Sequence, residues 1–100
     1  MSAYVLVSYD IDDPASYETY VPGVVPLLMK HGAEILVADF DVKAMEGEKK
    51  SVYVVLRFPS EEAANAWYND PDYAPVMKVR LDSCSNANMV LAQPFVPPSE

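Results

Sequence analysis

The chain has 100 residues, of which 51% are hydrophobic and 11% aromatic, and its formal net charge is −8. This length suits one domain, so we predict a single domain over residues 1–93 and a proline-rich tail over residues 94–100. The acidic charge argues against nucleic acid and anionic membrane surfaces as partners, because both require clustered Lys and Arg. The apolar content is high for an isolated domain of this size, which indicates that some apolar surface is buried against a partner chain.

The expected compartment follows from what the sequence lacks. Residues 1–10 carry no basic leader, and no apolar run approaches the roughly 18 residues of a transmembrane helix. Cys84 is the one cysteine, so an internal disulfide is impossible, as is usual in a reducing compartment. We therefore expect a cytoplasmic protein.

The first third of the chain predicts a strand followed by a long helix. Residues 3–10 are rich in β-branched and aromatic side chains, which favour a strand. Asp13 suits an N-cap, and Pro14 suits the first helical position, where no N–H is needed. Apolar residues then recur at helical spacing along residues 15–30, at Tyr17, Tyr20, Val21, Val24, Leu27 and Leu28.

Two internal prolines complicate this helix. Pro22 and Pro26 each remove a helical hydrogen bond, but at about 100° per residue both fall opposite the apolar stripe. We therefore predict one continuous helix that bends around the core with its prolines facing water. Gly32 ends the helix, and Lys30 and His31 occupy the last turn, where positive charge is favoured.

The middle of the chain predicts a pair of strands. Residues 33–40 and 51–58 are dominated by strand-forming side chains. Glu46 and Gly47 lie between them in a polar stretch that is typical of a hairpin turn.

A divided helix and a last strand complete the domain. Ser60 suits the cap of a helix that runs to Tyr68, because two acids follow it in the first turn. The break at residues 69–71 starts a second helical segment, capped by Asp70, that extends to about Ser83. Residues 86–93 are predicted to form the fourth strand.

The resulting order is β-α-β-β-α-β, which defines the fold class. We predict an α+β protein of the ferredoxin-like type, with an antiparallel sheet and both helices on one of its faces. The other face of the sheet is then bare. Two such faces packed against each other in a homodimer would account for the high apolar content.

Several segments together resemble a known family. They are AYVLVSYDIDDP at the start, Tyr17-x-x-Tyr20, His31-Gly32, Glu46-Gly47 and above all FPSEEAANAWYNDPDYAPVMKVR over residues 58–80. The chain resembles domain-of-unknown-function family thirteen-thirty, of the dimeric α/β-barrel superfamily. The resemblance implies a ferredoxin-like fold and a dimer whose sheets face each other. It implies no activity, because none is assigned to the family.

Arg80 is the first catalytic candidate. In a helix over residues 71–83 it falls among the apolar positions, whereas Lys78 and Asp82 point the opposite way. A permanently charged guanidinium on an apolar side needs a carboxylate, carbonyl groups or an anionic ligand. Three roles are therefore open for Arg80. It pairs with an acid as a structural element, or its aliphatic part packs while its guanidinium reaches water, or it anchors the carboxylate or enolate of a ligand.

His31 is the second catalytic candidate, because it is the only histidine and the first choice for acid–base chemistry near neutral pH. Its place at a helix C-terminus also explains it as a charge–dipole contact. A functional role would require His31 to face a pocket together with Arg80 or a tyrosine.

A set of aromatic residues on helix faces is the candidate ligand-binding group. Such stripes are more often plain core, but buried tyrosine hydroxyls need partners, and a mostly apolar pocket with polar tips would supply them. The candidates are Tyr17, Tyr20, Trp67, Tyr68 and Tyr73.

No metal or cofactor is expected. Asp10, Asp12 and Asp13 are explained by a strand end and a helix cap, and an oxygen-ligated ion needs more ligands at defined spacing. Cys84 has no second cysteine nearby and is interpreted as an inert thiol. The glycines do not form a phosphate-binding loop.

Two functions remain open from the sequence. The first is a homodimer with a pocket between helices and sheet for a small, partly aromatic or carbonyl-bearing molecule. Cofactor-free oxygenation, isomerisation or decarboxylation is then conceivable by analogy with the superfamily. The alternative is a non-enzymatic dimer that senses a ligand or binds a partner protein through its apolar sheet face.

Overall fold

The computed structural model describes residues 2–98 and contains eight elements. Met1 and residues 99–100 of the predicted tail lie outside this range, and residues 93–98 contain no helix or strand. None of the described helices has the length and apolar character needed to cross a membrane. The elements in chain order are β1 (Ala3–Ile11), α1 (Pro14–Tyr17), α2 (Tyr20–Lys30), β2 (Glu34–Asp39), β3 (Val52–Phe58), α3 (Glu61–Tyr68), α4 (Tyr73–Ser83) and β4 (Cys84–Ala92).

The four strands form one antiparallel sheet in the order β2-β3-β1-β4. Side chains alternate between two faces along each strand, so that Val5, Val7 and Tyr9 of β1 are buried on the face that carries the helices, here called the inner face. The core lies between this inner face and the helices. The predicted α+β, ferredoxin-like fold is confirmed.

The opposite, outer face carries a row of branched aliphatic side chains. Leu6 of β1 lies opposite Val55 of β3 on one side and Val90 of β4 on the other, and Val55 lies opposite Val37 of β2. Val37, Leu6 and Val90 are exposed in the single chain. The row therefore crosses the whole sheet, and nothing in the described part of the chain forms a layer over it.

The prediction of one continuous helix over residues 15–30 is wrong. The structure has two helices, α1 and α2, separated at Glu18 and Thr19. Pro22 explains the break, because its ring lacks the N–H that would bond to the Glu18 carbonyl and crowds that same oxygen. The prediction that Pro22 and Pro26 face solvent is confirmed.

Three predicted helix boundaries depend on capping groups. Ser60 accepts a hydrogen bond from the Ala63 N–H at 3.0 Å and caps α3. Gly32 adopts φ = +77°, which lets the next amide bond back to Leu28 and closes the end of α2. Asp70 accepts from the Asp72 N–H at 2.9 Å, but α4 itself begins three residues after Asp70.

The start of β4 differs from the prediction, because α4 runs directly into the strand at Cys84. The carbonyl of Ser83 accepts hydrogen bonds from the Asp12 and Asp13 amides at the end of β1. These bonds satisfy the last carbonyl of the helix, so no loop is needed. Cys84 consequently pairs with Ile11 in the sheet.

Candidate functional site

Arg80 is buried beneath the sheet-facing side of α4, with 3% of its surface exposed. Its Cζ lies 5.8 Å from the ring centroid of Tyr9 and 5.9 Å from that of Tyr20. Within residues 2–98 no carboxylate pairs with it, and its Nε has no hydrogen-bond partner. The prediction that Arg80 turns inward is confirmed. Its guanidinium contacts two aromatic rings and not the carboxylate that the sequence analysis gave as one possible partner.

Four tyrosines adjoin this arginine and form what we call the tyrosine cluster: Tyr9, Tyr17, Tyr20 and Tyr73. The hydroxyls of Tyr9 and Tyr17 are hydrogen-bonded to each other, and those of Tyr20 and Tyr73 are bonded at 2.7 Å. Each pair uses one of its two hydroxyl protons. One proton per pair therefore remains free to bond to another acceptor.

The ionisation of the tyrosine cluster is set mainly by burial. Burial raises the pKa of Tyr9, Tyr17 and Tyr20 above the ordinary tyrosine value. The positive charge of Arg80 lowers the pKa of Tyr17 and Tyr20 without cancelling that effect. All three hydroxyls are thus protonated near neutral pH and can act as hydrogen-bond donors.

The guanidinium itself keeps its charge. Burial acts to lower the pKa of Arg80, but the hydroxyl groups of Tyr20 and Tyr73 outweigh it and leave the pKa above its ordinary value. Arginine starts from so high a pKa that it is charged at any physiological pH. The site therefore combines a fixed positive charge with neutral hydroxyl donors.

A cavity of about 90 Å³, here called the inner cavity, lies between α2 and the inner face of the sheet. Its lining residues are mostly aliphatic, and those with polar side-chain groups are Tyr9, Tyr17, Tyr20 and Trp67. Exposed residues of α2 and of the edge around β2 border its opening, among them Val21, Ile35 and Phe40. Arg80 does not line the cavity but stacks on two residues that do.

A second recess, the α3–β4 groove, has a volume of about 280 Å³ and opens to solvent between those two elements. Asn65 and Tyr68 of α3 supply polar groups along one wall, and β4 supplies apolar side chains along the other. Trp67 and Met89 line both the groove and the inner cavity. The indole Nε1 of Trp67 is buried and has no acceptor among the described residues.

His31 lies outside both recesses and is bonded to Asp70. Its Nε2–H donates to Asp70 Oδ2 at 2.8 Å, and the ammonium of Lys30 donates to the same oxygen at 2.9 Å. These bonds, with the Asp72 N–H on the other oxygen, hold the pKa of Asp70 well below its usual range. The group fastens the end of α2 to the junction between α3 and α4.

The structure brings together only part of the predicted site. Tyr17, Tyr20 and Trp67 line the inner cavity, while Tyr73 joins them through its bond to Tyr20. Tyr68 is exposed, and it lines the α3–β4 groove but not the inner cavity. His31 faces neither the cavity nor Arg80, so it lacks the contact that a role in proton transfer requires.

Sequence reasoning overlooked two residues. Tyr9 occupies the inner face of β1, and the alternation with Val5 and Val7 is the signal that could have placed it there. Asp70 was interpreted only as a helix cap, although its carboxylate also binds Lys30 and His31. No local pattern indicates that second role, because the residues are 39 and 40 positions apart.

The other candidates have structural contacts. Asp10 accepts hydrogen bonds from the Ser51 N–H at 3.0 Å and from the Asn86 amide at 2.9 Å. Asp13 caps α1 through the Ser16 N–H, as predicted. Burial raises the pKa of the Cys84 thiol, which disfavours the reactive thiolate.

Fold and site together define a ferredoxin-like α+β protein with a buried arginine–tyrosine cluster next to a small cavity. The family described as "Domain of unknown function (DUF1330)" matches residues 2–95, and the chain belongs to this family. No curated protein matches the chain at a significant level.

Solved structures share the fold at low sequence identity. RPA0582 from Rhodopseudomonas palustris, of unknown function, aligns with a TM-score of 0.81 and 15% identity over 96% of this chain and 84% of that chain. A dimeric ferredoxin-like protein of unknown function from Bacteroides fragilis aligns at 0.65 and 11% identity, over 92% and 95%. SnoaB from Streptomyces nogalater, a cofactor-independent oxygenase, aligns at 0.68 and 12% identity, over 99% and 98%. At these identities the similarity establishes the fold alone.

Proposed function

We propose that this chain binds a small, partly aromatic molecule that carries an acidic hydroxyl or a carbonyl group, and that it does so in the inner cavity. One observation carries the proposal. The buried guanidinium of Arg80 has no carboxylate partner within residues 2–98, and it stacks on two tyrosines that line the cavity.

Charge balance favours an anionic ligand. A buried cation is costly unless it is paired, and rings compensate it only in part, by about 0.5–2 kcal/mol each. An anion held about 9 Å away, on the far side of one aromatic ring, would gain about 2 kcal/mol at an effective dielectric constant of about 20. The free hydroxyl protons of the tyrosine cluster would add hydrogen bonds to a phenolate, enolate or carboxylate oxygen.

This arrangement also suits a class of reactions. Cofactor-free oxygenation, isomerisation and decarboxylation share a resonance-stabilised anion of the substrate, which Arg80 and the tyrosine cluster would stabilise. The similarity in fold to a cofactor-independent oxygenase supports this class by analogy. We assign the chain the binding of that anion, with Tyr17 and Tyr20 as donors and Arg80 as the fixed charge.

Binding of 4-nitrophenol, whose hydroxyl ionises near neutral pH, tests the proposal by calorimetry below and above that ionisation. We expect the wild-type protein to bind the anion about tenfold more tightly than the neutral form. Arg80→Met keeps the packing and removes the charge, so it should abolish the preference. Lys78→Met removes a charge from the exposed side of α4 and should leave it intact. An unchanged preference in Arg80→Met would refute the proposal.

A second function is favoured by the outer face. We propose that the aliphatic row of Val37, Val55, Leu6 and Val90 packs against the same row of a second copy, in a homodimer joined through the sheet faces. The relative from Bacteroides fragilis is described as dimeric, which supports this assembly. A non-enzymatic module that senses a ligand or binds a partner would depend on this face and not on Arg80.

A further inference from the structure

The inner cavity and the α3–β4 groove share a wall. Trp67 of α3 and Met89 of β4 line both recesses, and no other residue is common to them. Trp67 is held by stacking, with its ring centroid 4.7 Å from that of Tyr73 and 5.6 Å from that of Phe58. Met89 is half-buried on the inner face of β4, opposite Val7. Of the two, Met89 is therefore the side chain that is free to move.

The flexibility of methionine matters at this position. Its side chain is unbranched, rotates about three bonds and adapts to irregular spaces, whereas the tryptophan ring is rigid. A change of rotamer at Met89 would connect the two recesses without moving the backbone of β4.

Size gives a reason for the connection. The inner cavity, at about 90 Å³, is smaller than the roughly 300–1,000 Å³ that is usual for a small-molecule site. The groove of about 280 Å³ is open and lacks the tyrosine cluster. Joined, the two reach the lower end of the usual range, which admits a ligand of two or three rings.

Trp67, which lines both recesses, also carries a buried donor. The Trp67 indole N–H can only donate a hydrogen bond, and it has no acceptor among residues 2–98. Only 2% of the surface of Trp67 is exposed, so water does not reach this group freely. Buried donors without acceptors are rare in folded proteins. An oxygen atom of a ligand that passes the wall would satisfy it.

We propose that the inner cavity and the α3–β4 groove form one elongated site, in which Met89 determines the length of the ligand and the Trp67 indole N–H binds its carbonyl oxygen. The ligand class is a mostly apolar ketone or quinone of two or three rings, with its acidic end at the tyrosine cluster. This inference rests on the proposed function, because it extends the same cavity.

The carbonyl contact is tested with 9-fluorenone and fluorene, which share a ring skeleton and differ in the carbonyl group. We expect wild-type protein to bind the ketone about tenfold more tightly than the hydrocarbon, by calorimetry. Trp67→Phe should bring the two affinities together, because it removes the donor that distinguishes the ketone from the hydrocarbon. A ketone preference that survives in Trp67→Phe overturns the assignment of the indole.

If Trp67→Phe fails to fold, the contact can still be tested in the wild-type protein. Trp67 is the only tryptophan of the chain, so tryptophan fluorescence reports on its indole directly. Wild-type emission can be recorded with 2-decalone and with decalin, which do not absorb in the emission range. A hydrogen bond to the indole should shift the emission to the red with the ketone alone. Equal spectra with both compounds would overturn the assignment.

The role of Met89 is tested by length. Met89→Ala should strengthen binding of 9-fluorenone by about fivefold more than it changes binding of 4-nitrophenol, because only the longer ligand crosses the wall. Met89→Ile introduces a side chain that is stiff at the branched carbon and should weaken binding of 9-fluorenone more than binding of 4-nitrophenol. Asn88→Ala, one position away on the outer face and outside both recesses, is the control and should change neither affinity.

The outcomes separate the two levels of inference. If 4-nitrophenol does not bind wild-type protein, the proposed function fails. If it binds and Met89→Ala changes the affinity for short and long ligands equally, the elongated site is refuted while the inner cavity stands.

Discussion

The guanidinium of Arg80 lies 5.9 Å from the ring centroid of Tyr20, and the hydroxyl of that tyrosine bonds to Tyr73 on the same helix as the arginine. Arg80 and Tyr73 of α4, seven residues apart, thus both contact Tyr20 of α2, the first at the face of its ring and the second at its hydroxyl. These contacts join α2 to α4 and also hold Tyr20 in place as part of the wall of the inner cavity.

Arg80→Ala is expected to lower the free energy of unfolding by about 2–4 kcal/mol, because it leaves a cavity and removes cation–π contacts with two rings. Arg80→Met should cost less, since a buried charge can be replaced by an apolar side chain of similar volume. Urea denaturation followed by circular dichroism measures both. Lys78→Ala, on the exposed side of α4, serves as the control and should leave the midpoint unchanged. Equal losses in the Ala and Met variants would show that packing at this position is unimportant.

Asp70 should make stability depend on pH in the acid range. Its pKa in the folded protein lies below the value of 3.8 for an unperturbed aspartate, so its contribution is present above about pH 4 and is lost as the pH falls through the folded-state value. Asp70→Asn should therefore be less stable than wild type at neutral pH, and the difference should shrink as the pH falls below about 4.

Denaturation of both proteins at several pH values measures that difference, and subtraction removes the effect of other carboxylates such as Asp10 and Asp13, whose pKa values are also lowered by hydrogen bonds. Asp72→Asn is a suitable control, because its exposed carboxylate lies 3.9 Å from the Lys30 ammonium. A gap between Asp70→Asn and wild type that stays constant down to pH 2 would contradict the expectation.

Leu6→Glu should weaken the proposed dimer by at least about tenfold, because it places two buried like charges near the centre of the aliphatic row. Analytical ultracentrifugation over a range of concentrations measures the dissociation constant, and circular dichroism confirms that the fold persists. Leu81→Glu changes an exposed leucine on α4, away from the outer face, and should leave association as in wild type. Undiminished association of Leu6→Glu would exclude the outer face as the interface.

Much of the fold could be predicted because the local signals agree with one another. Strand alternation, the Ser60 cap and Gly32 each mark a boundary that the structure retains. The single helix over residues 15–30 failed because periodicity describes which side of a helix is apolar and not whether its hydrogen bonds are complete. Pro22 has no N–H to donate to the carbonyl of Glu18, four residues earlier, and this missing hydrogen bond could have indicated a break.

The site was predictable only in part, because it depends on contacts between distant segments. Helical periodicity placed Arg80 inward correctly, although Leu81, the apolar residue that follows it, is exposed in the structure. One sequence gives no register between α4 and β1, so the stacking of Arg80 on Tyr9 was inaccessible. The pairing of His31 with Asp70 joins two helix ends, and neither end indicates the other.

The position of β2 at the margin of the sheet affects how the protein behaves at high concentration. No strand from residues 2–98 lies beside its outward backbone groups, and Ile35, Leu36 and Val37 give it an apolar centre, so it could serve as a template for strand addition between molecules. Glu34 and Asp39 bracket that centre, and the chain carries a net charge of −8, so approaching copies repel one another. Acid conditions or high salt remove that electrostatic protection and leave the strand open to fibril-like association.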